Sequence, residues 1–596
     1  MRKLYVVFLI IEFFLTGFVS FSNSSHLNEN SLILLLHTSR ISQHIYCPRI
    51  FLDVNSLWEL KKILGRILFF QRLEQSIIKT SRHSSLNSQA RIYWVKAGAN
   101  GDGTAEDNPA GNITYILETY DLTNAIINVF PGVYDKSIEE FPLIFNYSNL
   151  TIRAIYGVSK TIIKGFIPEV FIPEQWATII VRSPNVTIEG FTICDGYQAI
   201  LIEGSAKRTI VKGNILENNT CAISICSSHN IITNNTFIDN YIGIFVGVWW
   251  SGSHNLIENN EFKNSPIDIV ICSSNNMITK NKMYSGILLD GSVDIVVSQI
   301  IDTSNMINGK PIRYYKNQAD VAVPENISQV ILANCTHFLI SGLNISNTCI
   351  GIEMLYCKNI TIKSNYLARN IYNIGVVYSE YLTITSNKLM EGACGVFFHN
   401  VNHSSLISNE ISNNYYGIYF MGSSNNVISR NTIKQNNIGI LLRGQIPIVG
   451  GPPPLSSSHN EIIMNHISDN IIGISINETF EDAAIRNLIY KNNFIGNEIH
   501  AHDDCGKNFF NSTEIGNYWD DYNGTDENDD GIGDTPYEIP GHGKSKDYKP
   551  SMKLFNIFGE KRKEETPRLT YILVGTCITA FVIIFIWIIR EKNKIL

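Results

Sequence analysis

One stretch of this chain carries oxygen ligands at the spacing a calcium ion requires. In the run from Asp526 to Asp534, side-chain oxygens fall at the first, third, fifth and ninth places (Asp526, Asn528, Asp530, Asp534), Ile532 offers a backbone carbonyl at the seventh, and Gly531 permits the turn at the sixth. A helix-loop-helix calcium site places a bidentate Glu at the twelfth position, which here is Tyr537 with Glu538 beside it. The reading is a calcium loop of structural purpose, weighed against a plain acidic turn. Imidazoles form a second set. His500 and His502 share one strand face with Asp503 and Asp504 beside them, and His399 and His403 lie close in sequence. Cu(II) accepts imidazole, yet a copper-delivering site wants a denser cluster of His, Met or Cys, and the chain has only 9 Met. These histidines therefore read as surface residues, and copper is not expected as a cofactor. The third set is aromatic. Trp249 and Trp250 sit in an enlarged turn, Gly247 to Gly252, and indole faces stack on sugar rings, so this pair is the candidate carbohydrate-binding site. The alternative is that both rings fold back on the protein.

The elements that would position these residues follow a ruler. An aliphatic residue, two polar residues, Asn, one residue and another aliphatic recur as Ile362/Asn365/Leu367, Ile384/Asn387/Leu389, Leu406/Asn409/Ile411 and Ile428/Asn431/Ile433, the asparagines 22 residues apart. Leu343 takes the Asn place one period earlier, and Gly351, Gly395, Gly417 and Gly439 mark a second fixed point. A constant period of this size means stacked repeats, and the two-residue alternation inside it means strands. Coils also run from about Leu150 to Tyr284 with the Asn place filled by Gly213, Asn235, Asn260 and Asn281. Between Ser285 and Gln329 the register is lost, and Asn308-Gly309 predicts a turn into an inserted strand pair. A second surplus lies at Gln445 to His459 with three consecutive prolines. Like residues stack on like about 4.8 Å apart, aliphatics fill the bore, and Asn is expected at the corners because it tolerates left-handed backbone. The short helical stretch Ile113 to Tyr120 is the expected cap of the first coil, whose edge would otherwise stand open. The three glycines Gly98, Gly101 and Gly103 read as turn formers, not a phosphate loop.

Composition and the two ends bear on location. A net charge of −7 and a pI near 6.1 exclude the basic footprint of a nucleic-acid binder. The 11 cysteines lack CxxC pairs, and Cys226, Cys272 and Cys357 fall at matching or near-matching repeat positions, so they read as buried thiols. Residues 1–22 fit a signal peptide, with Arg2 and Lys3 before an apolar run. Residues 26–90 form a helical pre-region in which Ser56 and Glu59 make a capping box before Leu57, Leu60, Ile63, Leu64, Ile67 and Leu68. The repeat occupies 91–510 with insertions at 285–329 and 445–459; an Asp/Gly-rich tail follows at 511–550 and a juxtamembrane linker at 551–569. Residues 570–589 are apolar and long enough to span a bilayer, and the basic segment 590–596 places the C-terminus in the cytoplasm. Asn-x-Ser/Thr sites such as Asn146, Asn218 and Asn477 are candidate glycosylation points on an extracellular chain.

The coils with their asparagine ladder, the interruption Asn308-Gly-Lys-Pro-Ile-Arg-Tyr-Tyr, and the tail Gly516-Asn-Tyr-Trp-Asp-Asp-Tyr522 through Asp547-Tyr-Lys-Pro550 together resemble the NosD-like right-handed parallel β-helix proteins. The resemblance covers roughly 91–550 and implies fold more than function; the family is named for an association with copper delivery, within a wider group of carbohydrate-binding and sugar-hydrolysing β-helices. The calcium loop is similar to those of thrombospondin and dockerin repeats. Asp520-Asp521 followed by Gly541-His542-Gly543 resembles the polygalacturonase motif, but no Asn-Thr-Asp lies one coil upstream and no Arg-Ile-Lys downstream, so a catalytic role is not assigned. The expected fold is all-β, a right-handed parallel β-helix solenoid with coils of about 22 residues, an N-terminal helical segment and a C-terminal transmembrane helix. The expected function is a membrane-anchored cell-surface protein, single-pass and extracellular, that binds glycans or builds the envelope without catalysis and has scope for lateral self-association. A polysaccharide lyase or hydrolase and a copper-handling accessory are the alternatives.

Overall fold

The computed structural model describes residues 90–167, 177–247, 251–445 and 453–557. The signal segment, the helical pre-region up to residue 89, Trp249 and Trp250, part of the proline loop and the apolar stretch 570–589 lie outside them. Among the described residues no helix is long and apolar enough to cross a membrane.

Each coil is built from three strands, and each strand pairs in parallel with its counterpart one coil on. Ile210–Lys212, Ile215–Glu217 and Cys221–Ile225 make one coil; their partners are Ile231–Thr233, Thr236–Ile238 and Ile242–Val246, in the register Ile210↔Ile231, Ile215↔Thr236 and Cys221↔Ile242. The first two strands alternate as the sequence alternates: Val211, Leu216, Ile232 and Phe237 point inward and are buried, with half-exposed residues on either side. Inward side chains stack on their equivalents, Phe237 on Phe262 at 4.5 Å and Phe398 on Phe420 at 4.9 Å. The third strands differ in burying both faces, as in Cys394–His399 and Tyr372–Val377. Their outward side carries Cys221, Cys272, Cys349 and Cys394 in one apolar cluster with Phe245, Phe397 and Tyr419, so the thiols are small hydrophobes in an apolar seam.

The corners explain the ruler and correct one expectation. The ladder asparagines are not left-handed. Positive φ belongs to the residue immediately before each, Ser364, Ser386, Ser408 and Arg430 ahead of Asn365, Asn387, Asn409 and Asn431. That twist turns the asparagine side chain inward, where it links neighbouring coils. Asn409 Oδ1 accepts from the Asn387 backbone N–H at 2.9 Å and from its amide at 3.0 Å, while Asn409 Nδ2 donates to the Ile384 carbonyl at 2.9 Å. The earlier coils repeat this with Asn214, Asn235, Asn260, Asn281 and Asn305, so Asn214 and not Gly213 holds the ladder position; Gly213 is its left-handed neighbour. The other two corners carry ladders as well, for example Asn414–Asn436–Asn470–Asn497 and Asn426–Asn460–Asn487–Asn508. Glycine at the second fixed point answers a close approach: an ideal Cβ on Gly417 would lie 2.5 Å from the Gly439 carbonyl oxygen.

The coils form two stacks. One ends at Ile300–Ile301 and the other begins at Lys310–Lys316, joined by an antiparallel pairing of Met306–Ile307 with Lys310–Pro311 across the Asn308-Gly309 turn. Lys310–Lys316 then pairs in parallel with Gln329–Ala333, so the expected strand pair is present, but it starts the second stack instead of projecting from a single one. One 17-stranded sheet runs through both stacks, using the second strand of each coil before the turn and the third strand after it. The interior divides accordingly into one apolar core from Tyr93 to Leu355 and another from Val323 to Ile539.

Both ends are closed. Helix Ile113–Thr119, capped by Asn112 whose Oδ1 accepts the Tyr115 N–H at 2.7 Å, buries Ile113, Ile116 and Leu117 at the first coil. The buried Glu139 carboxylate accepts the free N–H groups of Ile113 (2.7 Å) and Thr114 (2.8 Å) at its start. At the far end the coils continue past 510: Asn492 bonds to Asn517 at 2.9 Å, and Tyr518–Trp519 pairs with Asn493–Phe494. The tail is therefore partly a last coil. A 25-residue gap between these asparagines, filled by the irregular segment 504–516, concealed that continuation in the sequence.

Candidate functional site

Two places near the ends of the solenoid bring polar and aromatic side chains together. At the first coil, three aromatic side chains at or just beyond the ends of successive strands form a ladder, Trp94 to Phe130 at 5.8 Å and Phe130 to Tyr156 at 6.0 Å. Strand register alone does not align these rings, since Trp94 pairs with Asn128 and Asn128 with Arg153; Phe130 and Tyr156 lie just past the ends of Ala125–Val129 and Thr151–Ala154. Tyr156 is 53% exposed. Beside the ladder lies a cleft of about 550 Å³ lined by Lys96, Glu106, Asp107, Pro109 and Phe130. The loop carrying its acids is pinned by Asp102, whose Oδ1 accepts from the Thr104 N–H (2.9 Å) and the Asn108 amide (3.0 Å). These contacts, the Thr104 backbone bond foremost, hold the Asp102 carboxyl below its ordinary value. The cleft thus offers an aromatic surface, two carboxylates and an ammonium at one rim, groups suited to the faces and hydroxyls of a sugar. Sequence reasoning singled out none of them; the signal available was the recurrence of an aromatic residue near the end of three successive first strands.

The second place is the last coil. His500 is 5% exposed, and its Nε2 lies 2.8 Å from Asp520 Oδ1 and 3.3 Å from Asp521 Oδ1. Among the described residues this is the one trio of His, Cys, Asp or Glu whose ligand atoms lie within 4.8 Å of one another. Trp519 underlies it, stacked between Phe494 (4.2 Å) and Tyr537 (4.3 Å), with its Nε1–H donated to Asp547 at 2.9 Å. Burial pushes the Asp547 carboxyl up to about 6. Asp520 also accepts the Gly496 N–H at 2.7 Å, and Asp521 accepts the Tyr537 hydroxyl at 3.1 Å. Asn497 has its oxygen occupied by the Asn470 N–H, so its amide faces His500 Nδ1 at 3.2 Å and fixes the ring with the proton on Nε2. A metal at Nε2 would have to displace that proton. The donor set, one imidazole and two carboxylates, suits a divalent ion, Cu(II) included, and not Cu(I), which prefers sulfur.

The other expected site residues fall as follows. Trp249 and Trp250 lie outside the described residues. In the acidic loop, Asp526 accepts the Gly531 N–H at 2.9 Å, Asn528 the Asp530 N–H at 3.0 Å and Asp530 the Ile532 N–H at 2.8 Å, so three of the proposed ligands turn into the loop. Asp534 closes it by accepting the Glu527 N–H at 2.8 Å. His500 and His399 are buried, against the expectation of surface histidines; the reason is that His399 lies on the doubly buried third strand and His500 beneath Asp520. Burial lowers His399 to about 4, and neither of its ring nitrogens has a partner. His403 stays exposed and stacks on Tyr381 at 5.3 Å. His502 and His542 meet at Asp504 Oδ1, at 3.1 and 3.2 Å. Burial alone would raise Asp504, but the His542 N–H and the two rings bring it below its ordinary value. Asp503 instead faces inward and is spent on backbone turns and Ser545. Gly541-His542-Gly543 packs at Asp503 and Gly506, not at Asp520-Asp521.

Stacked three-strand coils with an amide ladder at each corner define a parallel β-helix repeat protein. The family described as periplasmic copper-binding protein (NosD) matches residues 169–297 and 303–524, more than half of the chain, and the chain belongs to that family. The break in the match falls where the two stacks join. Solved structures with a similar course include the mannuronan C-5 epimerase AlgE6 A-module of Azotobacter vinelandii (13% identity, 70% of this chain and 97% of that chain, TM-score 0.22). Others are an alginate lyase, AlyF-OU02 with G6 (12%, 70% and 88%, 0.25), and the catalytic domain of a GH87 alpha-1,3-glucanase in complex with nigerose (14%, 68% and 70%, 0.28). Likeness at this level conveys nothing about a shared site. No curated protein matches the chain.

Proposed function

We propose that this chain is an extracytoplasmic, membrane-anchored β-helix that binds a glycan and does not cleave it. The observation that carries this reading is the first-coil cleft, where Phe130 stands beside Glu106, Asp107 and Lys96. The paired carboxylates Asp520 and Asp521 are both engaged with one imidazole, an arrangement that holds them and leaves no opposed acid and base. Trp249 and Trp250 remain the second candidate contact, and anchoring rests on the apolar run 570–589. The test is binding of the full chain, in detergent, to a panel of neutral and acidic polysaccharides. Phe130→Ala is expected to weaken retention about tenfold, the loss of one stacking contact; unchanged binding by both Phe130→Ala and Trp249→Ala/Trp250→Ala would remove these surfaces from the proposal, and release of reducing or unsaturated ends would replace binding by catalysis. A second reading, metal handling, is favoured by His500, Asp520 and Asp521 together with the family's description. Dialysis of the full chain against Cu(II), Zn(II) or Mn(II), followed by elemental analysis, decides it: stoichiometric metal lost in His500→Ala supports that reading, and none retained rejects it.

A further inference from the structure

The joint between the two stacks buries three carboxyl groups. Asp268, Asp290 and Glu353 are 0%, 2% and 3% exposed. Asp268 Oδ2 accepts the N–H groups of Tyr284, Ser285 and Gly286 at 2.8, 2.6 and 2.8 Å, where the first stack runs out. Asp290 Oδ1 accepts the Gly291 N–H at 2.7 Å. Glu353 belongs to the second stack, yet its Oε1 accepts the Leu289 N–H of the first at 3.1 Å. Gln329 crosses the same joint: its Oε1 accepts the Ile287 N–H at 3.0 Å and its Nε2 donates to the Ile287 carbonyl at 2.6 Å, so one amide stands in for a missing strand. The other oxygens of the acids, Asp268 Oδ1, Asp290 Oδ2 and Glu353 Oε2, have no partner.

The groups facing these acids are the thiols of Cys272 and Cys349 and the hydroxyls of Tyr356 and Tyr378; none is a cation. A buried carboxyl without a counter-charge keeps its proton, because the charged form is the one burial penalises. We propose that this joint is a proton-held lock, in which protonated Glu353 clamps the second stack on the first with protonated Asp290 facing it, and loss of their protons to solvent puts like charges into an apolar seam and loosens it. Burial pushes Asp268 and Asp290 up to about 7 and Glu353 well above the carboxylate range. These values exceed those of the unfolded chain, near 4, so the stabilisation is complete in acid and is lost as pH rises through about 7. The proposal is independent of either binding site.

Cys272 and Cys349 report on the joint from within, both 0% exposed, while Cys221 lies coils away in the first stack. The test is the rate of thiol alkylation at each, by peptide mass spectrometry on the full native chain, normalised at each pH to the same thiol in denaturant. Between about pH 5 and about pH 7 the normalised rate at Cys272 and Cys349 is expected to rise by on the order of tenfold per carboxyl and pH unit and to level off above, with Cys221 flat. In Asp268→Asn/Asp290→Asn/Glu353→Gln the rise disappears; should that variant lose its cooperative melt, Glu353→Gln alone is expected to reduce it. Joint thiols that follow Cys221 in the parent chain, or a rise that survives in the folded variant, overturn the lock.

Discussion

Asn409 shows how much one side chain does here. Its amide oxygen serves two donors of Asn387, its amide nitrogen binds the Ile384 carbonyl, and its own N–H reaches Asn431. Asn409→Ala leaves two buried donors of Asn387 without an acceptor and is expected to cost about 2–4 kcal/mol in denaturant unfolding. Ser408, one residue earlier, is exposed and left-handed, so Ser408→Gly is expected to be neutral or to stabilise by about 1 kcal/mol. Equal losses at both positions would mean that the corner and not the ladder carries the energy. The period alone could not separate these roles, because two adjacent positions repeat with the same spacing. Only the backbone angles show which residue turns and which reaches inward.

Among the elements, the third strands departed most from the sequence expectation, and the tail loop carries a prediction of its own. The acidic loop is pinned to the end of the described chain, with Met552 N–H on the Gly531 carbonyl and Gly533 N–H on Pro550, so ordering the loop orders the cover of the last coil. If Asp526, Asn528, Asp530 and Asp534 hold calcium, the metal-depleted full chain will melt higher on adding the ion, by about 2.7 kcal/mol at a hundredfold excess over Kd, and Asp530→Asn will abolish the gain. The same melting temperature with calcium and with chelator would leave a plain acidic turn. Every strand was expected to show the same half-buried alternation, although third strands such as Cys394–His399 and Tyr416–Met421 are continuous apolar runs. Their outward face is buried, which takes in His399 and removes it from any surface site. The continuous apolar run was the signal available for that burial; what covers the face is set by contacts across space.

For the molecule as a whole, each coil touches chiefly its neighbours, so stability should grow coil by coil. Excising residues 387–408, which joins Ser386 to Asn409 in register, is therefore expected to give a folded, cooperatively melting chain of lower stability. Excising 21 residues from the same place offsets the inward alternation by one residue and is expected to lower stability further or to give insoluble protein. The readouts are far-ultraviolet circular dichroism and the melting transition. The joint is the exception to this additivity. There the strands change partner, the long sheet passes from second strands to third strands, and three acids replace an apolar contact. Lengthening either stack is compatible with the fold, whereas charge at the joint is what the lock would sense.

The 22-residue period, the alternation within it and the Asn308-Gly309 turn were sufficient in sequence for stacked parallel strands and a break in their register after Ser285, because a coil's contacts repeat wherever its residues do. What the tertiary structure alone decided are the places where repetition stops. His500 meets Asp520 and Asp521 across about twenty residues of tail, Phe130 and Glu106 meet across a loop, and Glu353 reaches Leu289 across the joint. None of these separations is a multiple of the period. A periodic pattern specifies neighbours one coil away, and the meetings on which function depends are set by loops, caps and the path between stacks.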